Sequence, residues 1–222
     1  IDLKSLNNVR IKNERLLCFY NSIIYNGKVL SNDTYKDESK VKYYDVNELI
    51  AAKEGEAPAV TELDIIQKQK INFVLAKDGN VYTLESADNG CNIVKIKNDF
   101  TLEKVFANFQ PAKGPYHSSP TIGMVASETE NIIYLVSTDG AIYKYILGDS
   151  DSLKAPFIAA ESGVSITAPL QLNQQSGELY VTYTEERKDE SKIVVYSKDG
   201  KVLHTVDCGE SVPSQILFNK IG

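Results

Sequence analysis

Chemistry in this chain would have to come from few side chains. Histidine, the residue best suited to proton transfer near neutral pH, occurs twice, as His117 in GPYHSSP and His204 in VLHTV. His204 alternates with apolar neighbours, the pattern of a strand residue with no special role. His117 stands beside Tyr116, Ser118 and Ser119 in a loop bounded by Gly and Pro, which suits ligand contact as well as plain loop packing. No serine occupies a GxSxG elbow, so no hydrolase triad is legible. Cys18, Cys91 and Cys208 have unrelated spacings and form no CxxC pair, so they read as isolated, semi-buried thiols. Asp149-Ser150-Asp151 alternates oxygens as a Ca²⁺ loop does, but it lacks the further acidic ligand and fixed glycine of an EF-hand. The run TEERKDES reads as a solubilising hairpin tip rather than an acid–base pair, because flexible charged tips do not hold unusual pKa values. Neither a catalytic residue nor a metal or cofactor site is expected.

Composition excludes further classes. With 222 residues and 42% hydrophobic content, the chain can bury a core in one large β domain or two small ones. A net charge of −6 argues against a nucleic-acid partner, which calls for clustered Lys and Arg. No apolar run reaches the roughly 18 residues of a membrane-spanning helix, and no signal peptide opens the chain. The absence of an initiator Met suggests a processed or trimmed product.

The elements that would position any site repeat. Asn26-Gly27-Lys28-Val29-Leu30, Asp78-Gly79-Asn80-Val81-Tyr82, Glu130-Asn131-Ile132-Ile133-Tyr134 and Ser176-Gly177-Glu178-Leu179-Tyr180 begin successive copies at intervals of 52, 52 and 46 residues. A second strand follows each: Lys40–Tyr44, Asn92–Ile96, Ala141–Tyr145 and Lys192–Tyr196. A short apolar run precedes each: Leu16–Phe19, Ile71–Leu75, Ile122–Ala126 and Leu170–Leu172. A fourth strand trails three of them, at Leu49–Ala51, Leu102–Phe106 and Val202–Val206. Even KDESK recurs, at Lys36–Lys40 and Lys188–Lys192. Four short strands per unit, the innermost most apolar, describe a β-propeller blade. Asp-Gly at 78, 139 and 199 supplies the positive-φ residue that tight hairpins need.

The fold expected is therefore all-β, a β-propeller of four-stranded blades over units 11–52, 66–107, 118–160 and 166–207. Residues 213–219, containing SQILF, would form a further innermost strand. IDLKSLNNV at the start resembles the tail of an outer-strand pair, Tyr44–Leu49, so partial blades flank the four full ones. Either the ends share one blade and close a small ring, or, as is favoured here, the chain 1–222 is the C-terminal portion of a larger ring. Solenoid and sandwich architectures fit the period less well.

Recognition in a propeller falls to the tips and the connections between blades. The tip candidates are Tyr35, Asp37, Asp88, Asn89, Asp139, Glu185 and Arg187, and the connection candidates are Tyr116, His117 and Ser118. Whether tips and connections share a face is open at this level. Thirteen tyrosines and no tryptophan offer amphipathic surface for a sugar or a large planar ligand. Tyr82, Tyr134, Tyr143 and Tyr180 fall on strand registers and are expected to pack.

The segment from Ala168 to Phe218 resembles the C-terminal blades of the DUF5074 or YncE-like surface propeller lipoproteins of Bacteroidetes. Gly177-Glu178-Leu179-Tyr180-Val181-Thr182, Val195-Tyr196-Ser197-Lys198-Asp199-Gly200-Lys201, Gly209 and Pro213 occupy the places of that pattern. Ser197 departs from it, standing where the group more often has an acidic residue. The resemblance implies an extracytoplasmic protein on the outer cell surface, a lipoprotein whose anchor has been removed. It would capture a small nutrient, cobalamin or a glycan, beside an outer-membrane transporter and without catalysis. A protein-interaction platform is the alternative, and a metal-dependent propeller lactonase or lyase a weaker one, since the inner runs LLCF, NFVL, GMVA and LQL carry no carboxylate.

Overall fold

The computed structural model describes residues 22–32, 39–52, 58–67, 73–111, 123–185 and 190–213, together with Ile216 and Phe218. The chain divides into two compact units, Ile1–Lys70 and Ile71–Gly222. The first holds one antiparallel sheet in the order β1 (Ile23–Tyr25), β2 (Lys28–Ser31), β3 (Ser39–Asp45) and β4 (Val60–Gln67). Asn26 and Gly27, at φ of 47° and 71°, form the two-residue turn between β1 and β2. Both positive dihedrals are what the right-handed twist of a hairpin selects.

One strand expectation is corrected in this unit. Leu49-Ile50-Ala51 is helical, part of α1 (Val46–Ala51), because Asp45 caps it. The Asp45 carboxylate accepts from the backbone N–H of Asn47 at 2.8 Å and of Glu48 at 3.2 Å, and Val46 and Leu49, three apart, turn inward onto Val29 and Tyr44. The fourth strand is instead β4, which begins in the stretch the repeat pattern left between units and ends at Gln67, inside the bounds expected for the next one. The expected inner run Leu16–Phe19 lies outside the described residues.

The second unit contains three sheets. The first is β5 (Val74–Leu75), β6 (Val81–Ala87), β7 (Gly90–Ile96) and β8 (Leu102–Phe109); the next is β9 (Met124–Ala126), β10 (Ile132–Val136) and β11 (Ile142–Ile146). The last comprises β12 (Val164–Ile166), β13 (Gln171–Leu172), β14 (Leu179–Glu185), β15 (Ser191–Tyr196) and β16 (Val202–Gly209). The middle sheet has three strands, in keeping with the one unit that showed no trailing strand. Ile158 forms an isolated bridge to Ile142 there, and a 3-10 turn at Ser150–Leu153 occupies the intervening chain. β12 was not foreseen: both it and β13 pair with β14, at opposite ends of that strand. Of the expected closing strand, Pro213, Ile216 and Phe218 are described and none is in a strand. The Ile216 N–H donates to the Gln171 side chain at 3.0 Å, and Phe218 meets Tyr180 edge-on at 4.9 Å.

The middle sheet explains the core. All five residues of β10, IIYLV, are buried, as a strand covered on both faces requires. Alternation sends Ile133 and Leu135 into a cluster with Leu84, Ile93 and Tyr145, while Ile132, Tyr134 and Val136 enter another with Leu179, Val181 and Tyr196. Sheets therefore stack face to face through a shared middle layer, with β16 exposed along its length as an outer edge. That is the packing of neighbouring propeller blades.

Candidate functional site

Strand order fixes which turns share an end. In the β5–β8 sheet, the β6–β7 tip and the chain leaving β8 lie at one end, and the β5–β6 and β7–β8 turns lie at the other. Hydrogen bonds carry this arrangement across sheets. Gln110, just past β8, donates its side-chain amide to the Asn89 carbonyl at the tip. Its own carbonyl accepts from the Thr138 N–H at 2.9 Å, in the β10–β11 turn of the next sheet. Blade tips and inter-blade connections thus meet on the same end, which settles the question that spacing alone left open.

Asp88, Asn89, Asp139 and Glu185 all belong to this end. Asp88 and Asn89 form the exposed tip between β6 and β7. Asp139 is exposed in the β10–β11 turn, but its carboxylate is used locally: it accepts from the Ser137 hydroxyl and from the Ala141 N–H at 3.1 Å. The Ser137 hydroxyl, with that backbone bond, holds the Asp139 carboxyl below its ordinary range. Glu185 ends β14, half-buried, opposite Val164 on the connection strand β12. Beside it, Lys192 pairs with Glu161 of the same connection at 3.0 Å. Tyr35, Asp37, Tyr116, His117, Ser118 and Arg187 lie outside the described residues. Sequence reading missed Gln110, for which there was no composition signal, only its place directly after a strand.

The opposite end is built differently. Gln174 bridges two sheets, its side chain accepting from the Glu128 N–H at 2.8 Å and donating to the Ala126 carbonyl at 3.0 Å. Lys198 pairs with Glu130 across the same gap. At this end of the β5–β8 sheet lies an open cleft of about 390 Å³ lined by Asn80, Lys95, Lys97, Asn98 and Asp99. Lys95 reaches the Asp78 carboxylate at 2.9 Å, and the buried Tyr82 donates to the same carboxylate at 2.8 Å. Burial raises the Asp78 carboxyl, but the bonds from Lys95, Tyr82 and Asn80 outweigh it and hold the group below its ordinary value. Burial, then the bond to Asp78, drives the Tyr82 hydroxyl far above its ordinary value, so it stays a proton donor. Lys97 pairs with Glu103 at 2.9 Å.

The other chemistry-bearing residues have structural settings. His204 is exposed on β16 opposite Val195. Asp149 caps the 3-10 turn by accepting from the Asp151 N–H at 3.0 Å, and Asp151 pairs with Lys154 at 2.9 Å. Among the described residues no group of three or more His, Cys, Asp or Glu side chains converges in the manner of a metal site, and no helix is long and apolar enough to cross a membrane. Tyr82 and Tyr134 are packing residues, buried in the two clusters. Half-buried Tyr143 meets Phe109 edge-on at 5.8 Å.

Comparison places this geometry. A family model described as domain of unknown function DUF5074 matches residues 23–219. Among curated proteins no sequence matches the chain. Similar solved structures include prolyl oligopeptidase B from Galerina marginata as apo protein, at TM-score 0.54 and 12% identity over 87% of this chain and 27% of that one. The same enzyme bound to a hydrolysis and macrocyclization substrate gives TM-score 0.53 at 12% identity, over 84% and 27%. A protein from Lactobacillus plantarum gives TM-score 0.46 at 14% identity, over 82% and 54%. The chain thus spans about a quarter of the oligopeptidase's length, and at this identity the likeness concerns fold alone.

Proposed function

The chain belongs to the DUF5074 family of domains of unknown function, and on that premise we propose that it is a non-catalytic, extracytoplasmic ligand-binding domain. In this reading it groups with the YncE-like surface lipoproteins of Bacteroidetes and captures a nutrient, cobalamin or a glycan, beside an outer-membrane transporter. The observation that carries it is the gathering of Asp88, Asn89, Asp139 and Glu185, from three sheets, on the end where Gln110 ties a tip to a connection. Residues distant in sequence converging on exposed turns of a rigid β scaffold are how such folds assemble recognition surfaces. Asp88 there is exposed and the Asp139 carboxylate is closed into its own turn, an arrangement suited to hydrogen bonding and not to acid–base work.

The experiment is calorimetric titration of the purified chain with cyanocobalamin, then with a panel of oligosaccharides. Saturable binding of at least one ligand is expected, weakened about tenfold or more by the double change Asp88→Ala and Asn89→Ala. A flat response to every ligand on folded protein would sink the nutrient-capture reading. Weight would then move to a protein-interaction platform, which the exposed Val202, Leu203 and Val206 on edge strand β16 favour.

A further inference from the structure

Each of the four sheets has as one edge the strand that comes last in the chain, and three of these edges are protected. β4 carries Glu62 and Asp64, paired with Lys42 at 3.6 Å and Lys40 at 3.4 Å. β8 carries Glu103 and Lys104, paired with Lys97 at 2.9 Å and Glu85 at 3.5 Å, and Asn108 kinks its end at φ of 61°. β11 is covered by the chain that follows it. Ile142 exchanges backbone hydrogen bonds with Ile158 at 2.9 and 3.0 Å, while Ile146 donates to the Ser152 hydroxyl and accepts from the Asp149 N–H, both at 2.9 Å. Charge, kinks and cover are the devices that keep a sheet edge from pairing with another chain.

β16 lacks them over most of its length. Among the described residues no strand pairs with its outer side, and Val202-Leu203-His204-Thr205-Val206 contains no carboxylate, lysine or arginine. Val202, Leu203 and Val206 are 59%, 43% and 52% exposed. The register against β15 shifts at either end, but Lys192 to Val195 pair without a break with Asp207 to His204, so the middle of the edge is regular. Opposite charges flank the apolar stretch, Lys201 before it and Asp207 after it. Both are exposed, and neither belongs to an ion pair among the described residues; the Asp207 Oδ1 accepts from the Gly209 N–H at 2.9 Å.

That pattern is complementary to itself when reversed. A second β16 laid antiparallel about a two-fold axis at Thr205 sets each Val206 against the other copy's His204. It also brings each Lys201 to the end of the other strand that carries Asp207. A parallel copy would set like charge beside like. Two-fold pairing uses both edges at once, so assembly closes at two chains. We propose that β16 is a homodimer edge, along which two copies of this chain join their last sheets into one antiparallel sheet. An edge this short buries less than the roughly 1,200 Å² of a standard interface, so association is expected on the order of 10 µM. The Asp88–Asn89 tip belongs to another sheet, and the inference does not rest on ligand capture there.

Sedimentation velocity of the purified chain between about 1 µM and about 1 mM tests this. A concentration-dependent rise from the mass of one chain to that of two is expected. Val206→Lys, which sets a lysine against His204 of the other copy, should keep the chain monomeric, with circular dichroism reporting an unchanged fold. Lys201→Glu should weaken association severalfold by adding a carboxylate at the Asp207 end of the other copy. Combining it with Asp207→Lys reverses both charges and should restore the dimer. The proposal is overturned by a monomer at every concentration, by assemblies that grow beyond two chains, by a dimer that Val206→Lys leaves intact, or by failure of the reversed pair to rescue Lys201→Glu.

Discussion

At the residue scale, environment decides which side chains keep their chemistry. Cys91, on β7, packs in the cluster shared with Ile133 and Tyr145. Burial, reinforced by the Glu85 carboxylate, pushes its thiol up to about 11. Cys208, near the end of edge strand β16, is half-buried. Because the thiolate is the reactive species, iodoacetamide at pH 8 should alkylate Cys91 in folded protein at least about tenfold more slowly than Cys208. Peptide mapping in a Cys18→Ser background reads this directly, and equal rates would mean that the β7 thiol is not sealed. The sequence made both cysteines legible as isolated thiols, but not their difference, because burial arises from a neighbouring sheet.

Turn chemistry dominates at the element scale. Gly90 opens β7 at φ of 124° beside Gln110, and a Cβ there would meet the Gln110 amide and, at 2.5 Å, the Phe109 carbonyl. Gly79, also left-handed, has open space around it. Gly79→Ala should therefore cost only the dihedral strain, about 1 kcal/mol, whereas Gly90→Ala should cost about 2 kcal/mol or more and release the Gln110 tie. Urea unfolding of the two variants measures the difference, and equal losses would show that Gln110 holds nothing in place. Period and turn residues were enough to locate most strands, because alternation and Asp-Gly are local signals. They failed at Leu49-Ile50-Ala51, where the Asp45 cap and the inward pair Val46 and Leu49 favoured helix, and at β12, whose three residues gain their place only by pairing with distant β14.

The whole molecule depends on layers that no single unit provides. β10 is buried on both faces because sheets on either side cover it. Ile133, fully buried there, should lose about 3 kcal/mol of stability on change to Ala, by lost transfer energy plus the cavity left behind. Exposed Val202 on β16 should lose under about 0.5 kcal/mol on the same change. Chemical denaturation compares the two, and a small loss at Ile133 would argue that the stacked sheets do not form a tight layer.

The sequence by itself determined the repeat, the all-β class and the turn glycines, since each depends on residues within a few positions of one another. It also supplied the resemblance to DUF5074 propellers, which the family match over 23–219 bears out. Only the tertiary structure decided that tips and connections share an end, because antiparallel order and the Gln110 bonds join residues about 20 or more positions apart. It alone revealed Phe100 at a left-handed φ of 64° where the sister Asp-Gly turns carry glycine, since a dihedral is a property of the folded turn and not of the letter that occupies it.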